Sequence, residues 1–122
     1  MTTVLVADDD QELLEMYDLW LSSVQGVTAQ TATDGDEALE RLDETVDVAV
    51  LDRRMPETSG DEVAGAIAAT YPDCTVVIAS AFQPDENIDE QTYDRYLTKP
   101  VSRDELLETI DATATASLQI RT

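Results

Sequence analysis

Short apolar runs alternate five times with segments of helical periodicity, and this alternation constrains the fold more than any other feature of the chain. The runs that we read as strands are Val4–Ala7, Val27–Ala32, Val46–Leu51, Thr75–Ala79 and Tyr96–Leu97. The first, third and fourth are almost continuously apolar, as is typical of parallel strands that are covered on both faces. The alternation predicts a doubly wound α/β fold with a parallel sheet, in one domain over residues 1–122.

The segments between the strands carry apolar residues at helical spacing. The stripe expected on the first helix consists of Leu13, Met16, Tyr17, Trp20, Leu21 and Val24. The sets expected on the next two helices are Ala38, Leu39 and Leu42, and then Val63, Ala64, Ile67 and Ala68. The last helix is predicted to begin with the capping pattern Ser102–Glu105, and its periodicity weakens over residues 113–122.

The charge of the chain restricts its partners. It has 27 acidic and 7 basic residues, no histidine and a formal net charge of −20. Nucleic-acid surfaces and anionic membranes require clustered cations, so neither is an expected partner. A folded domain this acidic, whose single lysine is Lys99, is typical of a high-salt cytoplasm, where counterions screen self-repulsion. The lone Cys74 is expected in the core, and the N-terminus lacks the basic region of a signal peptide, so we expect a cytoplasmic location.

Carboxylates follow two of the predicted strands directly. Asp8, Asp9 and Asp10 come after the first strand, and Asp52 comes after the third. In a doubly wound sheet ligands bind outside the carboxyl ends of the strands, where these groups would converge and repel each other. Oxygen donors without histidine or cysteine favour Mg²⁺, so Asp8, Asp9 and Asp52 are the candidate metal ligands, while Asp10 is expected to cap the following helix.

Two further polar groups are expected at the same edge of the sheet. Ser80 follows the fourth strand, and Lys99 follows the fifth. A metal-bound carboxylate, a hydroxyl and an ammonium around one point would hold an anion beside a cation, which is what phosphoryl transfer requires. Asp52 would then be the nucleophile that forms an acyl phosphate.

Five motifs, taken in order, resemble the receiver domains of two-component response regulators, and the resemblance covers essentially the whole chain. The motifs are V-L-V-A-D-D-D at the start, A-T-D-G-D-E-A-L at 32–39, L-D-R-R-M-P-E-T-S-G at 51–60, I-A-S-A at 78–81 and L-T-K-P at 97–100. The third resembles the phosphoacceptor motif D-x-x-M-P-x-x-x-G, with Asp52 as acceptor.

The resemblance implies a flavodoxin-like (βα)5 fold with strand order 2-1-3-4-5 and a role in a phosphorelay, with a sensor histidine kinase as partner. It implies that Asp8, Asp9, Asp52 and the backbone carbonyl of Arg54 hold Mg²⁺. It further implies that Ser80 and Lys99 contact the phosphoryl oxygens and that Tyr96 is the aromatic residue that rotates on phosphorylation. Lys99 is expected to pair with Asp52 at rest, and the Lys99–Pro100 bond is expected to be cis.

Details of the motifs are similar to haloarchaeal regulators that carry a C-terminal HalX domain, which fits the acidic composition. Such receivers act through a downstream effector and can form weak or phosphorylation-dependent homodimers. Arg54 and Phe82 depart from the pattern, because they occupy positions that tune dephosphorylation and neither is suited to orient an attacking water. Ser80 and Lys99 are 19 residues apart, which is short for the family.

The segment Ala81–Tyr93 offers little to a fourth helix. Phe82 precedes Pro84, and Ile88 is then the only apolar residue before Tyr93. One such side chain buries little apolar surface, so we predict a fourth helix of at most two turns or an irregular loop.

Three alternatives remain open at this point. A pseudo-receiver would share the fold and bind partners without being phosphorylated. A Mg²⁺-dependent hydrolase of the haloacid-dehalogenase type would need a second aspartate two residues after the nucleophile, where this chain has Arg54. A flavin carrier would need hydroxyl groups in the loop after the first strand, which here carries aspartates. The receiver function is not enzymatic except toward its own phosphorylation and dephosphorylation.

Overall fold

The computed structural model of the chain describes the backbone of residues 2–121 and the side chains of residues 2–112. The five parallel strands are β1 Thr2–Ala7, β2 Val27–Ala32, β3 Val48–Leu51, β4 Thr75–Ser80 and β5 Arg95–Thr98. The α-helices are α1 Gln11–Ser22, α2 Gly35–Arg41, α3 Gly60–Thr70 and α4 Arg103–Arg121. The strand order is β2-β1-β3-β4-β5, so the predicted doubly wound topology is confirmed.

The sheet contributes to a core on each of its faces. Alternate residues of the central strands point to opposite sides, so Leu5 and Leu51 pack with α2 and α3, whereas Val4 and Val50 pack with α1 and α4. This two-sided burial explains why β1, β3 and β4 are apolar at almost every position. No helix within the described residues is long and apolar enough to cross a membrane.

The predicted apolar stripe of α1 is partly wrong. The buried residues are Leu14, Tyr17 and Leu21, which follow a spacing of three and four, while Met16 is 39% exposed. Leu39 on the short helix α2 is likewise exposed, because Ala38 and Leu42, four residues apart, form the buried side of that helix. The predicted cap is confirmed at α4, where the Glu105 amide donates to the Ser102 hydroxyl.

The segment between β4 and β5 contains no α-helix. A single 3₁₀ turn, Glu90–Thr92, interrupts an otherwise irregular path, so the expectation of a shortened or absent fourth helix is confirmed. Ile88 is buried against the α2–α3 side of the core and anchors the segment without being part of a helix. The backbone of residues 113–121 continues α4, and the side chains of that weakly periodic tail lie outside the described residues.

Candidate functional site

The register of the sheet brings two aspartates side by side. Ala7 of β1 is opposite Leu51 of β3, so the residues that follow them, Asp8 and Asp52, leave the sheet at the same level. The amide of Asp52 donates to the carbonyl of Ala7 at 2.9 Å, which fixes this alignment beyond the last paired residues. One carboxylate oxygen from each of Asp8, Asp9 and Asp52 lies within 4.8 Å of the other two. The predicted cluster is therefore present.

The fourth carboxylate of the predicted group has a different task. Asp10 is the N-cap of α1, and its side chain accepts hydrogen bonds from the amides of Glu12 and Leu13. Its own amide donates to one oxygen of the Asp8 carboxylate at 2.9 Å. Asp10 thus stabilises the helix start and holds Asp8 in position, as expected for an N-cap residue.

Lys99 forms an ion pair with Asp52, as expected, but its shorter contact is with Asp8. Its ammonium donates to the second oxygen of Asp8 at 2.6 Å, and the nearest oxygen of Asp52 is 3.5 Å away. The Asp8 side chain is 3% exposed and that of Asp52 is 12% exposed, so the more deeply buried charge takes the nearer counterion. Desolvation lowers the pKa of Lys99, but the hydrogen bond and charge of Asp8, with help from Asp52, outweigh it and leave that pKa raised.

Asp52 is left with incomplete compensation. Desolvation and then the charge of Asp8 raise the pKa of the Asp52 carboxyl, and Lys99 offsets them only in part. The three clustered carboxylates have one neighbouring ammonium, which contacts Asp8 and Asp52, so the group has an excess of two negative charges. A cluster of oxygen donors this close, with unbalanced negative charge, provides the ligands that a hard divalent cation such as Mg²⁺ prefers.

The β3–α3 loop places Asp52 through a close backbone approach at Gly60. A Cβ atom at this position would lie 1.9 Å from the Asp52 carbonyl oxygen, so only glycine fits. The Gly60 amide donates to the carbonyl of Arg53 at 2.9 Å, which closes the loop against the end of β3. Arg54, the predicted source of a carbonyl ligand, lies in this loop two residues after Asp52.

Ser80 ends β4 at the same edge and is fully buried. Its hydroxyl oxygen accepts a hydrogen bond from the Phe82 amide at 3.1 Å, and its carbonyl accepts one from the Lys99 amide at 2.8 Å. A serine hydroxyl that accepts one bond keeps a proton that it can donate. The backbone bond between Ser80 and Lys99 also ties together the ends of β4 and β5, from which both predicted groups project.

Tyr96 lies on β5 with its hydroxyl bound to the β4–β5 segment. The hydroxyl donates to the carbonyl of Phe82 at 2.5 Å, and the ring packs edge-on against Tyr93 at 5.6 Å. The Phe82 backbone is therefore bonded to both predicted residues: its amide donates to the Ser80 hydroxyl oxygen, and its carbonyl accepts from the Tyr96 hydroxyl.

Arg53 is the residue of this region that the sequence did not identify. Its side chain is buried, and its fork-shaped guanidinium donates to both oxygens of Asp61 at 3.0 and 2.9 Å. It also donates to Asp85 at 3.1 Å and, at 3.5 Å, to the hydroxyl oxygen of Tyr96. The hydrogen bond with Asp61 is the main cause that raises the pKa of Arg53 above its usual range.

Arg54, the next residue, points to a different neighbour. Its guanidinium lies 3.9 Å from the centre of the Phe82 ring, in cation–π geometry. These two side chains border a cavity of about 180 Å³ that Asp85 and Asn87 also line. The two residues that depart from the family pattern therefore contact each other.

Comparison with known proteins gives one consistent family. Residues 4–111 match the model of the response regulator receiver domain. A Haloferax volcanii protein named as a transcriptional regulator is 46% identical over 108 residues, which is 88% of this chain and 18% of that protein.

Solved structures show the same fold. A CheY-like receiver domain from Methanospirillum hungatei superposes with a TM-score of 0.88 over 98% of both chains, at 22% identity. The response regulator TrrA from Thermotoga maritima, solved in complex with Mg²⁺ and BeF, is 30% identical with a TM-score of 0.80, covering 93% of this chain and 99% of that one. The chain spans between 18% and 27% of the length of the first three curated relatives it matches.

Proposed function

This chain belongs to the response regulator receiver domain family, and we propose on that premise that Asp52 is its phosphoacceptor. Receiver domains are signalling domains that accept a phosphoryl group in two-component systems. The observation that carries the assignment is the convergence of Asp8, Asp9 and Asp52 within 4.8 Å, with the ammonium of Lys99 against two of them.

Asp8, Asp9, Asp52 and the backbone carbonyl of Arg54 would hold Mg²⁺. When bound, the ion supplies positive charge that screens the carboxylates and the phosphoryl oxygens from one another. An oxygen of Asp52 attacks phosphorus of a phosphohistidine, the O–P bond forms, and the P–N bond breaks with its electron pair kept by the imidazole. Lys99 and the hydroxyl of Ser80 contact the transferred phosphoryl oxygens and balance their charge.

Ser80 and Tyr96 form the switch in this proposal. The hydroxyl of Ser80 accepts from the Phe82 amide, and Tyr96 donates to the Phe82 carbonyl. When Ser80 donates to a phosphoryl group on Asp52, the Phe82 backbone moves with it. The Tyr96 hydroxyl then loses its acceptor, and the ring rotates.

The wider setting is part of the same proposal. The partners are a sensor histidine kinase and a downstream effector, the location is cytoplasmic, and the domain comprises residues 1–122. The chain catalyses only its own phosphorylation and dephosphorylation, and a weak or phosphorylation-dependent homodimer forms through the β4–β5 segment. The net charge of −20 and the Haloferax volcanii relative support a halophilic regulator. The HalX type is proposed from the resemblance of the motifs alone.

Phosphorylation of the purified chain tests the acceptor. Incubation with acetyl phosphate and Mg²⁺ should add one phosphoryl group, measured by intact mass, and Asp52→Asn should abolish the addition because the amide is not a nucleophile. Asp43→Asn removes an exposed carboxylate whose side-chain hydrogen bonds, among residues 2–112, are with Thr45, so it is the matched control and should label normally.

Three outcomes would contradict the assignment. Labelling that persists in Asp52→Asn would move the acceptor to another residue. A wild-type chain that stays unlabelled while it binds Mg²⁺ would favour the pseudo-receiver, and continuous release of phosphate from many substrates would favour the hydrolase.

A further inference from the structure

One guanidinium connects three separate parts of the molecule. Arg53 is joined to Asp61 in the first turn of α3, to Asp85 in the β4–β5 segment and to the Tyr96 hydroxyl on β5. We call these four residues the Arg53 network. The arginine itself is 8% exposed, so its charge depends on these partners rather than on water.

The two ion pairs of the network differ in geometry and exposure. Asp61 accepts two parallel bonds from the guanidinium and its side chain is 27% exposed. Asp85 accepts one bond from the guanidinium and one from the Asn87 amide, and its side chain is 47% exposed. A bidentate pair is stronger and more directional than a single bond. The Asp61 pair therefore fixes the orientation of Arg53, and the Asp85 bond is the one that can break.

The backbone gives Arg53 a direct connection to the proposed acceptor. Arg53 is the next residue after Asp52, and its carbonyl accepts the Gly60 amide that closes the β3–α3 loop. A change in the backbone at Asp52 must move the base of the Arg53 side chain. The distant end of that side chain contacts the segment that lacks a helix and the hydroxyl of the proposed switch tyrosine.

We propose that Arg53 is a positioning residue that holds Tyr96 and the β4–β5 segment in their resting arrangement and couples them to Asp52. The proposal rests on the proposed function of Asp52 and adds a second connection to it, separate from that through Ser80. The segment has one buried apolar anchor, Ile88, so a tether to Asp85 accounts for much of its order. When Asp52 is phosphorylated, Arg53 releases Asp85 and stops donating to the Tyr96 hydroxyl.

The test compares Arg53→Gln, Arg53→Lys and Asp85→Asn with Arg41→Gln, which removes an arginine from an exposed pair on α2. The probes are amide hydrogen exchange over residues 82–92 and the NMR signals of the Tyr96 ring, before and after addition of acetyl phosphate with Mg²⁺. Intact mass monitors phosphorylation in every sample.

We expect exchange over residues 82–92 to rise about tenfold in Arg53→Gln and about threefold in Asp85→Asn, with the strands unchanged. The resting Tyr96 signal should move toward its phosphorylated position in both, so the change on phosphorylation shrinks. Arg53→Lys keeps the charge without the fork and should fall between wild type and Arg53→Gln. Arg41→Gln should match wild type, and all variants should be phosphorylated.

The inference fails if wild type is phosphorylated and its Tyr96 signal responds, yet Asp85→Asn and Arg53→Gln show the same exchange and the same response. If Arg53→Gln does not fold, Asp85→Asn decides alone, because its exposed side chain can be changed without burying an unpaired charge. The wild-type chain could also fail to be phosphorylated while both variants still show raised exchange and a shifted Tyr96 signal at rest. That result would refute Asp52 as the acceptor and support the role of Arg53 in the resting structure.

Discussion

Two cationic side chains at one edge of the sheet, Lys99 and Arg53, each form ion pairs with two carboxylates, but the geometry of the pairs differs. Lys99 places a single ammonium between Asp8 and Asp52, at 2.6 and 3.5 Å. Arg53 directs a planar fork at Asp61 and reaches Asp85 with the same Nη2 nitrogen that bonds one of the Asp61 oxygens. An ammonium is a compact charge that exchanges partners readily, whereas a guanidinium fixes a geometry. The first arrangement suits a site that must accept a ligand, and the second suits a connection between elements.

The balance of charge separates the two regions further. The Lys99 region has an excess of two negative charges, because it contains the carboxylates of Asp8, Asp9 and Asp52 and one ammonium. The Arg53 network has an excess of one, and that charge is partly in water at Asp85. Of the two regions, the Lys99 region therefore gains more stability from a divalent cation. The comparison predicts that added metal changes the contribution of Lys99 to stability more than that of Arg53.

The largest effect is expected when the Lys99 region loses its cation. In metal-free solution Lys99→Met should lower the free energy of unfolding by about 3 kcal/mol, since Asp8 is then a buried charge without a counterion. Saturating Mg²⁺ should recover about half of the loss, because a bound cation compensates the same carboxylates. Urea unfolding at fixed NaCl, with EDTA or with Mg²⁺, measures both.

Arg41→Gln is the control, because it removes one positive charge from an exposed pair and should change stability by less than about 0.5 kcal/mol. An equal loss from Lys99→Met in EDTA and in Mg²⁺ would mean that the ammonium and the metal do not share carboxylates. The proposed metal site would then be wrong.

A smaller effect of opposite sign is expected at Asp52. Burial and the charge of Asp8 raise the pKa of Asp52 in the folded chain, so the folded state binds this proton more tightly than the unfolded state does. The contribution of Asp52 to stability therefore falls as the pH rises from 3.8, the ordinary value, through the raised pKa, and stays low above it. Asp52→Asn should stabilise the metal-free chain by about 1 kcal/mol at pH 7.

The gain in Asp52→Asn should disappear as the pH falls below the ordinary carboxyl pKa, where the aspartate is protonated in both states. With Mg²⁺ the sign should reverse, because the variant loses a ligand that wild type uses to bind the metal. Urea unfolding between pH 3.5 and pH 7 in EDTA gives the profile. A destabilised variant at pH 7 without metal would show that Lys99 compensates Asp52 fully.

The sequence predicted the Lys99 region far better than the Arg53 network. Asp8, Asp52 and Lys99 each follow a strand, and parallel strands bring their carboxyl ends to one edge, so position along the chain implied proximity. Sequence could not decide which carboxylate lies nearer to Lys99, since that depends on how each side chain is buried. It therefore predicted the group and the pair of Lys99 with Asp52 correctly, but not the shorter contact of Lys99 with Asp8.

The Arg53 network had no comparable signal. Arg53 and Arg54 are adjacent residues of the same type, but their side chains point in different directions. Arg53 is buried against Asp61, whereas Arg54 lies over the Phe82 ring. Arg53 and Asp61 are eight residues apart across a loop, a separation that neither helix nor strand periodicity relates. The wrong prediction for Met16 has a similar cause. Met16 lies beside the buried stripe of α1, and whether such a residue is buried depends on how the helix packs, not on the residue type.

Two tyrosine hydroxyls give the smallest and most direct comparison. Tyr17 lies in the core on the α1 side of the sheet, burial raises its pKa to about 12, and within the described residues its hydroxyl has no hydrogen-bond partner. Tyr17→Phe should therefore be neutral or stabilising by up to about 0.5 kcal/mol, because it removes a buried polar group that forms no bond.

Tyr96→Phe makes the same chemical change at the Arg53 network. It removes the bond to the Phe82 carbonyl and the acceptor for Arg53, so it should cost about 1 kcal/mol and speed amide exchange over residues 82–92. Urea unfolding of the two variants in parallel measures the difference, with the ring and its packing retained in both. If Tyr96→Phe proved as neutral as Tyr17→Phe and exchange stayed at the wild-type rate, the Tyr96 hydroxyl would contribute nothing to the order of the β4–β5 segment. The coupling through Arg53 would then have to end at Asp85.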